Sequence, residues 1–163
     1  MIRFLPKLQL VLVISLLFVT SDTLAQATVE DVVSATLDSL HSKASQADFD
    51  GYFGLYSDRA IFLGTDATER WNLEQFKNYT RPHFSRGNGW TYHSVDRYIY
   101  ISPDGNTAWF DESLNNASLG ITRGSGVLEL QAGTWKISQY NLTIPIPNEL
   151  AGQVVSQIRA NDK

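Results

Sequence analysis

Apolar and polar positions follow two rhythms along this chain. Over residues 28–47 the apolar positions Val29, Val32, Val33, Leu37, Leu40 and Ala44 recur every three to four residues. That spacing puts side chains on one face of a helix. Thr28 stands at the N-cap, and Glu30 and Asp31 follow where the helix dipole favours negative charge. A second short helix is predicted over 48–56, with Phe49, Tyr52, Phe53 and Tyr56 inward. A strand follows over 60–63, bounded by Gly64. A third helix spans 72–84, with Leu73, Phe76, Tyr79 and His83 inward. His41 falls near the end of the first helix and is read as facing solvent.

From Trp90 the period becomes two, the spacing of a strand. Strands are predicted over 90–102, 107–114, 120–131 and 134–144. Pro103-Asp104-Gly105-Asn106, an Asn-rich loop and Ala132-Gly133 separate them. Pro145 and Pro147 end the sheet, and Asn148 caps a last helix over 149–159. Helices first, then an antiparallel meander: the order predicts an α+β domain, with helices packed on one face of a curved sheet.

Alternation also proposes a functional face. One side of the last strand reads Trp135, Ile137, Gln139, Asn141, Thr143. Earlier strands read Trp109 then Asp111, and Arg123 then Ser125 and Val127. A face that grades from apolar to hydrogen-bonding suits a sheet that closes a core at one end and lines a pocket at the other. Aromatics make up 12% of the chain, enough to wall such a pocket as well as fill a core. Trp71, Tyr79, Trp90, Tyr92 and Trp109 are the candidate wall, with Trp71 at the rim. Tyr98 and Tyr100 share parity with Trp90 and Tyr92. Placing them instead on the outer face requires a bulge between the two pairs.

The charged candidates carry two readings each. Asp111 is either a ligand acceptor or general base, or the structural partner of Arg123 on the next strand. Arg123 either makes that pair or clamps an anionic ligand. Asp66 is a cavity carboxylate or a turn former. His83 is a site residue or a cation at a helix C-terminus. Three separated histidines without cysteine give no metal-ligand spacing, so neither metal nor other cofactor is expected. No Gly-x-Ser-x-Gly elbow or phosphate loop is present, which leaves nucleophilic catalysis without support.

Charge and the N-terminus set the compartment. Arg3 and Lys7 precede an apolar run from Leu8 to Val19, and Thr23-Leu24-Ala25 offers a cleavage site. The run is shorter than the roughly 20 residues that span a bilayer, so residues 1–25 read as a secretory signal peptide. Residues 26–163 read as one domain, periplasmic or secreted from a bacterium, with no stable membrane insertion after cleavage. Removing Arg3, Lys7 and Asp22 leaves a net charge of −5 against −4 for the whole chain. An acidic domain without a basic stripe excludes nucleic acid as a partner. The expected partner is a small-molecule ligand.

Tyr56-Ser57-Asp58-Arg59-Ala60-Ile61-Phe62-Leu63-Gly64-Thr65-Asp66, then a helix, then strands ending in Gly133-Thr134-Trp135-Lys136-Ile137, resembles the nuclear-transport-factor-2-like superfamily. Within it, the chain is most similar to the SnoaL-like branch. The resemblance implies a cone-shaped sheet wrapped around N-terminal helices, a cavity at the wide end, and a homodimer through the outer sheet face. It covers isomerases, dehydratases, cyclases and non-enzymatic binding domains, and so leaves the chemistry open. Two departures favour binding. Many SnoaL-like relatives carry His on the last strand, where Gln139 and Asn141 stand here. Gly64 occupies the position of the ketosteroid isomerases' catalytic carboxylate, with Asp66 two residues on. The expectation is a small-molecule-binding domain, with an isomerase, dehydratase or cyclase as the alternative.

Overall fold

The computed structural model describes residues 27–161. The signal peptide expected over residues 1–25 lies outside them. Helix α1 spans Val29–Ser45. Its cap is reciprocal: Thr28 Oγ1 accepts from the Asp31 N–H at 3.1 Å, and Asp31 accepts from the Thr28 N–H at 2.8 Å. Val33, Leu37, Leu40 and Ala44 are buried, whereas Val29 and Val32 of the expected apolar face are exposed. Helix α2 is one short turn, Phe49–Phe53, capped by Asp48. Helix α3, Leu73–Phe84, starts behind Asn72, which forms a capping box with Gln75. Its buried residues are Leu73, Phe76, Thr80 and Phe84, while Tyr79 is exposed.

Strand β1, Tyr56–Leu63, is twice the length the sequence suggested. A three-residue strand β2, Arg70–Asn72, pairs antiparallel with it. Strands β3 (His93–Ile101), β4 (Thr107–Asn116), β5 (Gly120–Gln131) and β6 (Thr134–Thr143) form the expected meander. The sheet order is β2-β1-β6-β5-β4-β3, and β1 runs parallel to β6. The sheet is therefore mixed. The free edge of β6 is covered by a strand that left the sheet before α3, and a parallel return needs such a long connection. After β6 come a 3₁₀ turn, Asn148–Leu150, and helix α4, Ala151–Asn161, which buries no residue.

Two bulges decide which side chains face the helices. On β3, Ser94 pairs with Leu114 and Asp96 with Ser113, so Val95 is the extra residue. Past it the parity flips, and Tyr98 and Tyr100 stand exposed on the convex face while Trp90 and Tyr92 pack inward. This is the bulge that the outer-face reading of those tyrosines required. On β6, Leu128 pairs with Ile137 and Val127 with Gln139, so Ser138 is extra. Trp135, Ile137, Tyr140 and Leu142 are buried as a result. A one-residue slip moves every later side chain to the other face.

The expected functional face is thereby corrected. Gln139 and Asn141 lie beyond the Ser138 bulge and point away from the core that Tyr140 and Leu142 enter. On β4 the buried set is Ala108, Phe110, Glu112 and Leu114, so Trp109 and Asp111 are exposed on the convex side. Arg123 alternates with buried Thr122 and Gly124 and is exposed there too. Asp111 faces Ser125 and Arg123 faces Ser113, one diagonal step apart. The two form no ion pair, since both heads are in water, where pairing brings little.

Candidate functional site

On the concave face of β4 one charged residue stands in the middle of the apolar row. Glu112 is 1% exposed and lies opposite Arg97 on β3 and Gly124 on β5. Its Oε1 accepts from His41 Nε2 and from the Tyr140 hydroxyl, each at 2.9 Å. Its Oε2 accepts from Arg97 Nε at 2.9 Å. Arg97 Nη2 lies at the same distance from Oε2 without the alignment of a second hydrogen bond. Arg97 Nη1 reaches on to α1, donating to Ser34 O at 3.0 Å, Ser34 Oγ at 2.9 Å and Asp38 Oδ1 at 2.7 Å. One buried carboxylate thus ties α1, β3, β4 and β6 together.

Burial pushes the Glu112 carboxyl up, but the bond and charge of His41, the charge of Arg97 and the Tyr140 hydroxyl outweigh it. The group sits below the ordinary carboxylate range. An ionised carboxylate only accepts, so His41 Nε2 and the Tyr140 oxygen must carry the protons. Burial, then the adjacent Glu112 charge, holds the Tyr140 hydroxyl well above its usual value, which keeps it a donor. Gly124 makes room for this arrangement. A Cβ there would collide with the Tyr140 hydroxyl and come within 2.9 Å of Glu112 Cγ.

A cleft of about 150 Å³ opens beside this network. Phe62 of β1, Trp71 of β2, Phe76 and Tyr79 of α3, and Trp90 and Tyr92 ahead of β3 line it. Several rings lie nearly parallel: Trp71 is 12° from Phe62 and 13° from Phe76, and its ring centre is 4.5 Å from Tyr79. β1–β2 pairing sets this up, because Phe62 and Trp71 are cross-strand partners. Polar groups enter at the rim from Thr65 and Glu69. The Glu69 side chain folds over Gly64, in the space a Cβ there would need. A narrow extension of about 20 Å³ continues inward past Phe62, Trp90, Tyr92 and Leu142 and reaches His41, Tyr52 and Tyr140. The Tyr52 and Tyr56 hydroxyls bond each other at 2.9 Å, and burial raises both above their ordinary range. Burial also raises Tyr92.

Of the residues singled out from the sequence, Trp71, Tyr79, Trp90 and Tyr92 are brought together at the cleft. Trp109, Asp111, Arg123, Gln139 and Asn141 are not. Asp66 is exposed and accepts from Thr68 N at 2.8 Å and Thr68 Oγ1 at 2.6 Å, the bonds of a turn. These bonds lower its carboxyl pKa. His83 stacks obliquely on Tyr79 with ring centres 5.3 Å apart and lies outside the lining. His41 is corrected from solvent-facing: only 12% of its side chain is exposed. It lies four residues after Leu37 and three before Ala44, on the buried stripe of α1. That spacing was legible, as was Glu112 amid Ala108, Phe110 and Leu114. Weighting the large Trp109 selected the wrong parity of β4. Among the described residues, no group of three His, Cys, Asp or Glu side chains is placed to hold a metal ion.

The bent mixed sheet around three helices, with its cleft at the open end, is the nuclear-transport-factor-2-like fold. Solved structures share it at low sequence identity. A protein of unknown function from Pseudomonas putida has TM-score 0.60 and 10% identity, over 72% of this chain and 87% of its own. A candidate dehydratase from Streptomyces avermitilis has TM-score 0.60 and 11% identity, over 72% and 96%. A candidate ketosteroid isomerase from Parabacteroides distasonis has TM-score 0.57 and 17% identity, over 77% and 94%. Residues 33–147 match the SnoaL-like domain, and the chain belongs to that family. No curated protein matches it in sequence.

Proposed function

We propose that this is an exported domain that binds a small, flat, largely apolar molecule in the aromatic cleft. The observation that carries this reading is the set of near-parallel rings, Phe62, Trp71, Phe76 and Tyr79, around a space of about 150 Å³. Drug-sized ligands need about 300–1,000 Å³, whereas a dry cavity of roughly 150 Å³ accepts a benzene-sized guest. The cleft therefore suits one ring. Native mass spectrometry of protein purified from its own source tests this. A co-purifying mass of one-ring size supports it, and failure of every one-ring compound to bind the purified domain would sink it.

Residue types favour binding over chemistry. Glu112 is buried and already accepts from His41, Arg97 and Tyr140, so it is not placed to take a proton from a ligand. A second reading rests on His41. Glu112 orients its imidazole, as carboxylates orient catalytic histidines. Nδ1 has no protein partner among the described residues. In an isomerase or dehydratase this nitrogen would be the base. The candidate dehydratase and candidate isomerase among the structural neighbours make that chemistry worth testing. Deuterium uptake from heavy water next to the carbonyl of a one-ring ketone, lost in His41→Asn, would establish it.

Export is supported by the charged and apolar pattern of residues 1–25, and N-terminal sequencing of the mature protein checks it. No helix among the described residues is long and apolar enough to cross a membrane. A homodimer through the convex sheet face is supported by its exposed aromatics. Tyr98, Tyr100 and Trp109 are each about half exposed, and Tyr100 stacks on Trp109 at 5.7 Å. Sedimentation of the wild type against Trp109→Lys tests it: a dimer that becomes a monomer is the expected result.

A further inference from the structure

We infer that the ligand is a one-ring cation, an arylalkylamine seated ring inward with its ammonium at the mouth against Glu69. This rests on the binding reading above and specifies its ligand. The space divides in two across the shared residues Phe62, Trp90, Tyr92 and Leu142. The outer part, about 150 Å³, is ring-sized. The inner chamber, about 20 Å³, has room for little more than one water. A charged group carried on a short chain from the ring is therefore left at the open end.

Among the described residues, Glu69 is the one acidic or basic side chain in the outer lining. It is held there. Its Oε2 accepts from the Asp66 N–H at 3.2 Å, its backbone oxygen accepts from the Gly64 N–H at 2.8 Å, and its side chain fills the space that Gly64 leaves by having no Cβ. No Lys, Arg or His among the described residues forms an ion pair with it. Arg70, next in the chain, is exposed and lines neither space, and His83 lies outside both linings. Farther in, His41 lines the inner chamber but is bonded to Glu112, so a charge on it is matched there. The hydroxyls of Thr65, Tyr79 and Tyr92 each donate as well as accept, and so serve an ammonium, an alcohol or a carboxylate alike. Glu69 sets the sign: its carboxylate attracts an ammonium and repels another carboxylate. The net acidic charge of the chain acts in the same direction.

The test compares 2-phenylethylamine, 2-phenylethanol and 3-phenylpropionate on the unmodified domain at about pH 7.5, where an alkylamine is protonated and a carboxylic acid is ionised. The three share a ring and its short spacer and differ in charge. Calorimetry supplies the affinities. Desolvation alone ranks the neutral alcohol first. The expected result puts the amine first, at least about threefold tighter than the alcohol, as one ion pair at the rim allows, with the carboxylate weakest. Raising the salt from about 0.05 M to about 0.5 M should shrink the lead of the amine. Glu69→Gln keeps an oxygen for the Asp66 N–H; it should erase that lead while leaving alcohol affinity within about twofold. An alcohol as tight as the amine, a carboxylate that binds best, or a lead that survives Glu69→Gln overturns the cation inference but leaves a one-ring cleft. Binding of none of the three overturns both.

Discussion

His41 Nε2 lies 2.9 Å from Glu112 Oε1, so the last turns of α1 are bonded to the middle of the concave face of the sheet. Arg97 and Tyr140 complete the ring of donors around that carboxylate. A buried charge is tolerable only when so surrounded. The network therefore holds the helix layer at the distance that leaves the inner chamber open.

Removing one partner should be worse than removing the pair. Glu112→Ala leaves the mostly buried Arg97 with only the exposed Asp38 carboxylate as counter-charge and should lower stability by about 3 kcal/mol. Glu112→Leu combined with Arg97→Met should lose much less, because an apolar pair of similar volume needs no solvation. Urea denaturation of the single and double variants checks this. Equal losses would mean that the charges do not depend on each other.

The network also makes stability depend on pH. Glu112 has its folded pKa depressed, so its contribution is fully present above the unfolded value of about 4.3 and is lost as pH falls through the folded one. Stability of the wild type should decline from about pH 5 downward, and the decline should be shallower in Glu112→Gln. Denaturation midpoints at several pH values measure the slope difference.

Two glycines should respond in opposite directions. Gly124→Ala drives a methyl against the Tyr140–Glu112 bond and should cost about 1–3 kcal/mol. Gly152 lies in α4 with open space around it, and Gly152→Ala should stabilise by up to about 1 kcal/mol. Thermal melts of both variants give the comparison.

Deleting Ser138 tests the bulge. Without it, Ile137 and Gln139 become consecutive in a regular strand, with Gln139 and Asn141 still outward and Tyr140 and Leu142 still inward. The deletion should therefore preserve the cooperative unfolding transition, whereas deleting the paired residue Lys136 puts Trp135 and Ile137 on opposite faces and should abolish it.

Much of the architecture was legible in the pattern of the chain. α3 was placed nearly to the residue because Asn72 and Gln75 form a capping box. β5 was placed to the residue between Gly120 and the Ala132-Gly133 turn. The aromatic half of the site was legible too, because Trp71 follows a polar turn and faces Phe62. The polar half was not. Strand parity carries a face assignment only until a bulge, and nothing local marks Ser138 as an extra residue. Its cause is tertiary: Ser138 Oγ donates to Glu129 Oε2 at 2.8 Å, and its oxygen lies 3.3 Å from Ser57 Oγ, from which it can accept. Likewise, His41 and Glu112 are 71 positions apart in sequence, and only the packing of α1 on β4 makes them a pair. β2 was missed because three residues carry too short a pattern to read.

The most direct test is to watch the four tryptophan indole N–H signals by NMR while phenol is titrated into the labelled domain. Trp71 and Trp90 line the cleft, Trp135 is in the core and Trp109 lies on the convex face. The Trp71 and Trp90 signals should shift in a saturable way while Trp109 stays still. Movement of Trp109 alone, or of none of the four at saturating phenol, would contradict the assignment of the aromatic cleft as the binding site.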